Sequence, residues 1–164
     1  MYIAHLSLGS NLGDRLTHLQ EALKRLTRQG HVLRQCSSVY ETDPLETPDQ
    51  PEFLNLAIEI DSTLPPADIL QDCLRIETEM GRVRTSRFGP RPIDIDLLLV
   101  GDTTVQSEEL TLPHPRMHLR RFVLVPLCEI APEVLHPVMG VTVRELLSST
   151  PDGSRVEKYC GSLI

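Results

Sequence analysis

At 164 residues the chain is long enough to bury a substantial core, and it reads as one domain over 1–164 with a peripheral polar tail from 150 onward. Hydrophobic residues at 40% and charged residues at 24% are ordinary globular values. The net charge of −7 argues against broad nucleic-acid or membrane binding, since both select a basic face.

No apolar run approaches the roughly 20 residues of a membrane helix. Cys36, Cys73, Cys128 and Cys160 show neither CxxC pairing nor zinc spacing. With no signal peptide at the N-terminus, they read as reduced thiols of a cytoplasmic protein.

Tyr2 to Leu8 reads as a short apolar strand running into the turn Gly9-Ser10-Asn11-Leu12-Gly13-Asp14. Such a turn can bind phosphate through its amides. It matches neither Walker A nor GxGxxG, so a tight turn with a helix cap is the favoured reading. Leu16, Leu19, Leu23 and Leu26 recur at helical spacing, and Gly30 is placed as a C-cap, which predicts a helix over 14–29. A second strand follows over His31–Thr42, then a proline-rich loop over 43–52, then a third strand over Phe53–Asp61. On that third strand Leu54, Leu56, Ile58 and Ile60 share one face, and Phe53, Asn55 and Ala57 the other.

Pro65 and Pro66 open a helix to about Met80, with an inner stripe of Ile69 or Leu70, Cys73, Leu74, Glu77 and Met80 or Gly81. A buried carboxylate at Glu77 needs a partner. That partner is either a ligand or metal-bound water, or an arginine of the following loop in a structural ion pair. After the strand at 93–100, Gly101-Asp102 is read as a hairpin turn into a strand over Thr103–Leu112. Phe122–Ile130 reads as a short helix, and Thr142 with Glu145 as the capping box of a last one. Short links after the second and fourth strands favour a mainly antiparallel sheet with helices packed on it, an α+β domain of ferredoxin-like character in α/β/α layers.

The stretch GRVRTSRFGPRPIDIDLLLVG carries the chemistry. Arg82, Arg84, Arg87 and Arg91 fall together with no acidic residue among them, and Asp94 and Asp96 follow. On a strand these two aspartates share a face at about 7 Å spacing, opposite Ile93, Ile95 and Leu97. Paired carboxylates suit Mg²⁺, leaving its other positions to water and phosphate, and planar guanidiniums grip phosphate oxygens two at a time. A lone DxD is more often a solvated strand end; here it stands beside the arginine loop, a His-Pro turn at His114 and paired aromatics.

Taken together, these residues resemble the 6-hydroxymethyl-7,8-dihydropterin pyrophosphokinases of folate biosynthesis. The resemblance runs through GSNLGD, DQPEFLNL, RIETEMGRVR, FGPRPIDIDLLL, LPHPRM and RRFVLVPLCEIAP. It implies transfer of the β,γ-diphosphoryl unit of ATP to the pterin hydroxymethyl group, leaving AMP, by a monomer that binds neither nucleic acid nor membrane. It also implies two Mg²⁺ ions on Asp94 and Asp96, with Arg82 and Arg91 on the phosphates. Glu77, Arg84, Leu97, His114 and Arg120 fall at nucleotide positions, and Thr42, Leu45, Phe53, Asn55 and Phe122 where the pterin is held between two aromatics. The arginine loop is then expected to close over both substrates.

The chain departs from the family pattern in four places: Phe53 for tyrosine, Phe88 for tryptophan, Asp43 for proline and Leu74 for glutamine. Two other readings compete. A nucleotidyltransferase would release inorganic diphosphate rather than AMP. A non-enzymatic anion-binding module would bind nucleotide without turnover.

Overall fold

The computed structural model describes residues 1–44, 49–82 and 89–164. Leu45, Arg84, Arg87 and Phe88, singled out above, lie outside the described residues, as does most of the loop expected to close.

The centre of the fold is β1 (Tyr2–Ser10), whose side chains are buried from Ala4 onward. It runs two residues further than its apolar pattern suggests, because Gly9 and Ser10 still pair with Asn55 and Leu54. Asp14 then caps α1 (Arg15–Arg28), its carboxylate accepting the Thr17 N–H at 3.2 Å. Gly30, at φ +98°, takes the left-handed position that ends the helix.

The second predicted strand is interrupted. It forms β2 (Val32–Cys36) and β3 (Val39–Thr42), which pair with successive parts of β4 (Phe53–Ser62). At the break the Ser37 hydroxyl accepts the Ala57 N–H at 2.9 Å. The Ser38 N–H and hydroxyl both turn to the Glu129 carboxylate, at 2.9 and 3.1 Å. Polar side chains thus replace ladder bonds where the strand bends.

Next come α2 (Pro66–Glu79) and β5 (Asp94–Val100). The buried side of α2 is Ile69, Asp72, Cys73, Ile76 and Glu77. The stripe is therefore rotated from the predicted one, and Leu74 moves to its edge. The strand expected over 103–112 shrinks to β6 (Val105–Gln106) and β7 (Thr111–Leu112), which pair only with each other. Their sequence lacks the sustained alternation that holds a strand against a core. A short 3₁₀ turn at Met117–Leu119 leads into α3 (Arg121–Ile130), followed by α4 (Val143–Ser149), where Thr142 accepts the Glu145 N–H as predicted. The polar tail supplies an edge strand, β8 (Val156–Cys160).

Among the described residues the main sheet has the order β5-β1-β4-β3-β8, with β2 beside β4, and every pairing is antiparallel. α1 and α2 cover one face through Leu19, Leu23, Leu26, Ile69 and Ile76, packed on Leu6, Leu8, Leu56 and Ile58. α3 and α4 cover part of the other through Val123, Leu124, Leu127 and Leu146, packed on Ala57, Leu98 and Leu99. This is the expected α/β/α ferredoxin-like layering. A bulge between Leu97 and Leu99 lets Leu98 and Leu99 both join the second core. The α3 face is left open near Asp94, Asp96, Gly9, Phe53 and Asn55, and the site lies there. No helix among the described residues is long and apolar enough to cross a membrane.

On the α1–α2 side, the buried His31 ring bridges Ser62 Oγ at 3.0 Å and Asp72 Oδ2 at 2.8 Å. Asp72→Ala leaves that ring without one partner and is expected to cost about 1–3 kcal/mol of stability in urea unfolding. A loss below about 0.5 kcal/mol would show that the bridge contributes nothing measurable.

Candidate active site

The site follows from strand register. Gly9 pairs with Asn55 on one side and Asp94 on the other; two residues back, Ser7 pairs with Ala57 and Asp96. Two rows therefore cross the open face, with carboxylates on β5, small residues on β1, and an amide on β4. Gly9 is required here by close approach. A Cβ at this position would sit 2.5 Å from Asn55 Nδ2 and 3.4 Å from the Phe53 ring. The Asn55 side chain leans into that space while its Oδ1 accepts the Thr42 hydroxyl at 2.6 Å.

On the acidic side, Arg82 Nη1 donates to Asp94 Oδ1 at 2.6 Å and to Glu77 Oε2 at 3.1 Å. Arg91 Nη2 lies 3.4 Å from Asp94 Oδ2, and its guanidinium stands 5.0 Å from the Phe53 ring centroid. Glu77 Oε2 also accepts the Ile95 N–H at 2.7 Å. Glu77 thus takes the ion pair with an arginine of the following loop, and in addition anchors the β5 backbone.

Asp96 has a different environment. Burial first, and then the neighbouring Asp94 charge, push its pKa up to about 8 against the opposing pull of Arg120. His114 moves the other way. Desolvation and the cations Arg120 and Arg116 lower its pKa to about 4, despite Asp94. Its Nδ1 accepts the Arg116 N–H at 3.1 Å, so the neutral ring carries its proton on Nε2.

Two cavities meet at Asp94. A cleft of about 460 Å³ is lined by Glu77, Arg82, Asp94, Asp96, Leu97, His114, Arg116 and Arg120, with Leu70 and Leu74 forming an apolar side. A tighter slot of about 30 Å³ is enclosed by Thr42, Asp43, Pro44, Phe53, Asn55, Phe122 and Asp94. The slot is much the narrower of the two. Among the described residues, every position proposed from the sequence lines one of these cavities except Arg91, which bonds Asp94 from the rim.

Several contributors escaped the sequence reading. The Gly9 requirement appears only once β1 and β4 are in register. Asn11, nearly fully buried, accepts the Arg91 N–H at 2.8 Å, donates its own N–H to Arg91 O at 3.2 Å, and donates through Nδ2 to Gln50 Oε1 and Pro51 O, each at 3.2 Å. The GSN turn therefore spends an amide on fixing Arg91. Arg116, inside the LPHPRM run, faces the larger cleft, and only its place beside His114 hinted at that.

Residues 5–132 match the family model described as 7,8-dihydro-6-hydroxymethylpterin-pyrophosphokinase (HPPK). The chain is 47% identical over 133 residues to the 2-amino-4-hydroxy-6-hydroxymethyldihydropteridine pyrophosphokinase of Bacillus subtilis, 80% of each chain. It is 39% identical over 158 residues to the Haemophilus influenzae protein of the same name, covering 96% of this chain and 98% of that one. A crystal structure of Plasmodium falciparum HPPK-DHPS superposes with a TM-score of 0.72 at 17% identity, over 90% of this chain, and shares its fold. This chain spans 45% of that longer one.

Removing the Glu77 carboxylate strands the Ile95 N–H and deprives Arg82 of a buried partner. Glu77→Ala is expected to lower unfolding free energy by about 3 kcal/mol, and Glu77→Gln, which keeps an acceptor, by less. Equal and negligible losses in denaturant titrations would show that Glu77 is not a structural anchor.

Proposed function

Because the chain belongs to the 7,8-dihydro-6-hydroxymethylpterin-pyrophosphokinase family, and so is a pyrophosphokinase of folate biosynthesis, we propose a specific transfer for it. The β,γ-diphosphoryl group of ATP passes to the hydroxymethyl group of 6-hydroxymethyl-7,8-dihydropterin beside Asp94 and Asp96. The observation that carries this reading is that Asp94 lines both cavities at once. A donor in the arginine-lined cleft and an acceptor in the aromatic slot thereby meet beside one carboxylate. Such proximity replaces a bimolecular encounter with an oriented one.

The cleft suits a nucleotide triphosphate. Leu70 and Leu74 offer an apolar side for the base, while Arg82, Arg116, Arg120 and the His114 Nε2–H supply donors for phosphate oxygens. In the slot, Phe53 and Phe122 supply flat faces, and the Asn55–Thr42 pair supplies an amide and a hydroxyl for the edge of a heterocycle. Phe53 and Phe122 give ring contact without a phenolic hydrogen bond.

The donor set fits magnesium. Asp94 and Asp96 are hard oxygen ligands on one face, and no third His, Cys, Asp or Glu among the described residues completes a closed cage. Coordination positions are thus left for phosphate and water. The raised pKa of Asp96 reflects burial first and the Asp94 charge second, and a dication would relieve the second. When bound, magnesium neutralises phosphate oxygens and acidifies a coordinated hydroxyl. Two ions are the proposed number.

The chain's own residues manage the remaining charge. Arg82 and Arg91 neutralise Asp94 in the ligand-free protein. The same guanidiniums can turn from carboxylate to polyphosphate, so each charge stays paired as the site fills. Glu77 keeps Arg82 at the cleft floor throughout. His114, neutral across physiological pH, donates without adding charge. A monomer acting in the cytoplasm completes the reading.

Turnover with ATP, Mg²⁺ and the hydroxymethyl dihydropterin should yield AMP only when the pterin is present. Asp96→Ala should abolish that AMP release while keeping a cooperative unfolding transition. Inorganic diphosphate as product would favour nucleotidyl transfer, and near-normal kcat in the variant would refute the assignment.

The Asp96 pKa gives a pH test. Near neutrality the free carboxyl is mostly protonated, and ion binding requires the carboxylate. Apparent Mg²⁺ affinity should therefore rise with pH up to about 8 and level off above it. Calorimetry at pH 7 in buffers of different ionisation enthalpy should record a proton released on binding; no release would contradict this account.

A further inference from the structure

The segment after residue 150 lies beyond the region matched by the family model, yet it touches both walls of the aromatic slot. On one wall, β8 pairs with β3, setting Val156 against Thr42 and Glu157 against Glu41. From the start of that strand Arg155 reaches the two ends of the 43–52 loop. Its Nε donates to Asp43 Oδ1 at 3.2 Å, and its Nη2 lies 2.7 Å from Glu52 Oε1 as an ion pair rather than an aligned hydrogen bond. Glu157 and Glu41 stand 3.1 and 3.9 Å from its Nη1. Asp43 lines the slot, and Glu52 directly precedes Phe53.

On the other wall, Asp152 Oδ2 accepts the Arg121 N–H at 2.8 Å, and Arg121 Nη1 donates to Ser154 O at 3.0 Å. Those bonds hold the first turn of α3, whose next residue is Phe122. One short run of chain therefore grips the residues adjoining both aromatic walls.

We propose that the 152–157 segment sets the geometry of the acceptor slot, with Arg155 as a positioning residue for the pterin. Its physical role is charge balance. Glu41, Asp43, Glu52 and Glu157 crowd one patch, with Arg155 among all of them and Arg15 on Glu41 at 3.0 Å. Without Arg155 the carboxylates at the two ends of the loop repel each other, and the Asp43–Pro44 wall moves away from Phe53. Each pair is partly exposed and modest alone; the cluster acts because one guanidinium serves four carboxylates.

This inference rests on the aromatic slot being the pterin site, and the test separates the two claims. Steady-state kinetics of the full chain would compare wild type, Arg155→Ala, Arg155→Lys, Asp152→Ala and Thr142→Ala. The last removes the cap of α4, which stabilises the same half of the molecule without touching the slot. Arg155→Ala should raise the pterin KM roughly three- to tenfold while the ATP KM stays within about twofold. Arg155→Lys should recover part of the loss, and added salt should lower the pterin KM of Arg155→Ala by screening the stranded carboxylates. Asp152→Ala should raise the pterin KM as well. Thr142→Ala should lower Tm and leave the pterin KM alone.

If Arg155→Ala lowered Tm with no change in pterin KM, or raised both KM values equally, the positioning role would be overturned. If wild type itself showed no pterin-dependent AMP release, the reading of the slot would fail instead.

Discussion

The antiparallel register of β5, β1 and β4 is the constraint from which the site follows. It places Asp94, Gly9 and Asn55 in one row and Asp96, Ser7 and Ala57 in the next. Adjacent strands lie about 4.8 Å apart, so acidic and amide edges face each other across roughly 10 Å, with only glycine and small side chains between. A slip of one residue in β1 would bring Leu8 or Ser10 into the trough, and one in β5 would turn both carboxylates toward the core. The register is held from the opposite face, where Leu6, Leu8, Leu56, Ile58, Ile95 and Leu97 pack beneath α1 and α2. Core packing and site geometry are thus one decision, made on two sides of the same sheet.

Charge is the second layer of that arrangement. Glu77, Asp94 and Asp96 converge on one corner, and such a cluster is costly unless it is paired. Arg82 spans Glu77 and Asp94, Arg91 adds a longer contact, and the Ile95 N–H holds Glu77 in place. Burial first, and then the Asp94 charge, raise the Asp96 pKa to about 8.

Periodicity made the elements legible, since leucines at helical spacing and alternating aliphatics report burial directly. Leu19, Leu23 and Leu26 on α1 and Leu54 to Ile60 on β4 face where their pattern points. The break at Ser37–Ser38 depends on Glu129, far along the chain, and no local pattern announces it. The predicted strand over 103–112 shrank to two short pieces because its sequence lacks the sustained alternation that holds a strand against a core. In the site, residue chemistry pointed to Asp94, Asp96 and the arginine loop, and the family resemblance singled out Arg82 and His114. The need for Gly9 and the stapling by Asn11 are facts of close approach, visible only when distant strands meet.

The two cavities share Asp94 and are mechanically linked through it. Asp94 is the first residue of the edge strand β5, and Asp96 follows two residues in, paired with Ser7 of β1 and next to the Ile95 N–H that Glu77 holds. Phe53 and Phe122 likewise stand at the first residue of β4 and in the first turn of α3. Element ends open at smaller cost than the middle of a sheet. Arg91 lies on the Phe53 ring and beside Asp94 at once, so movement of the Phe53 wall is felt at the carboxylates.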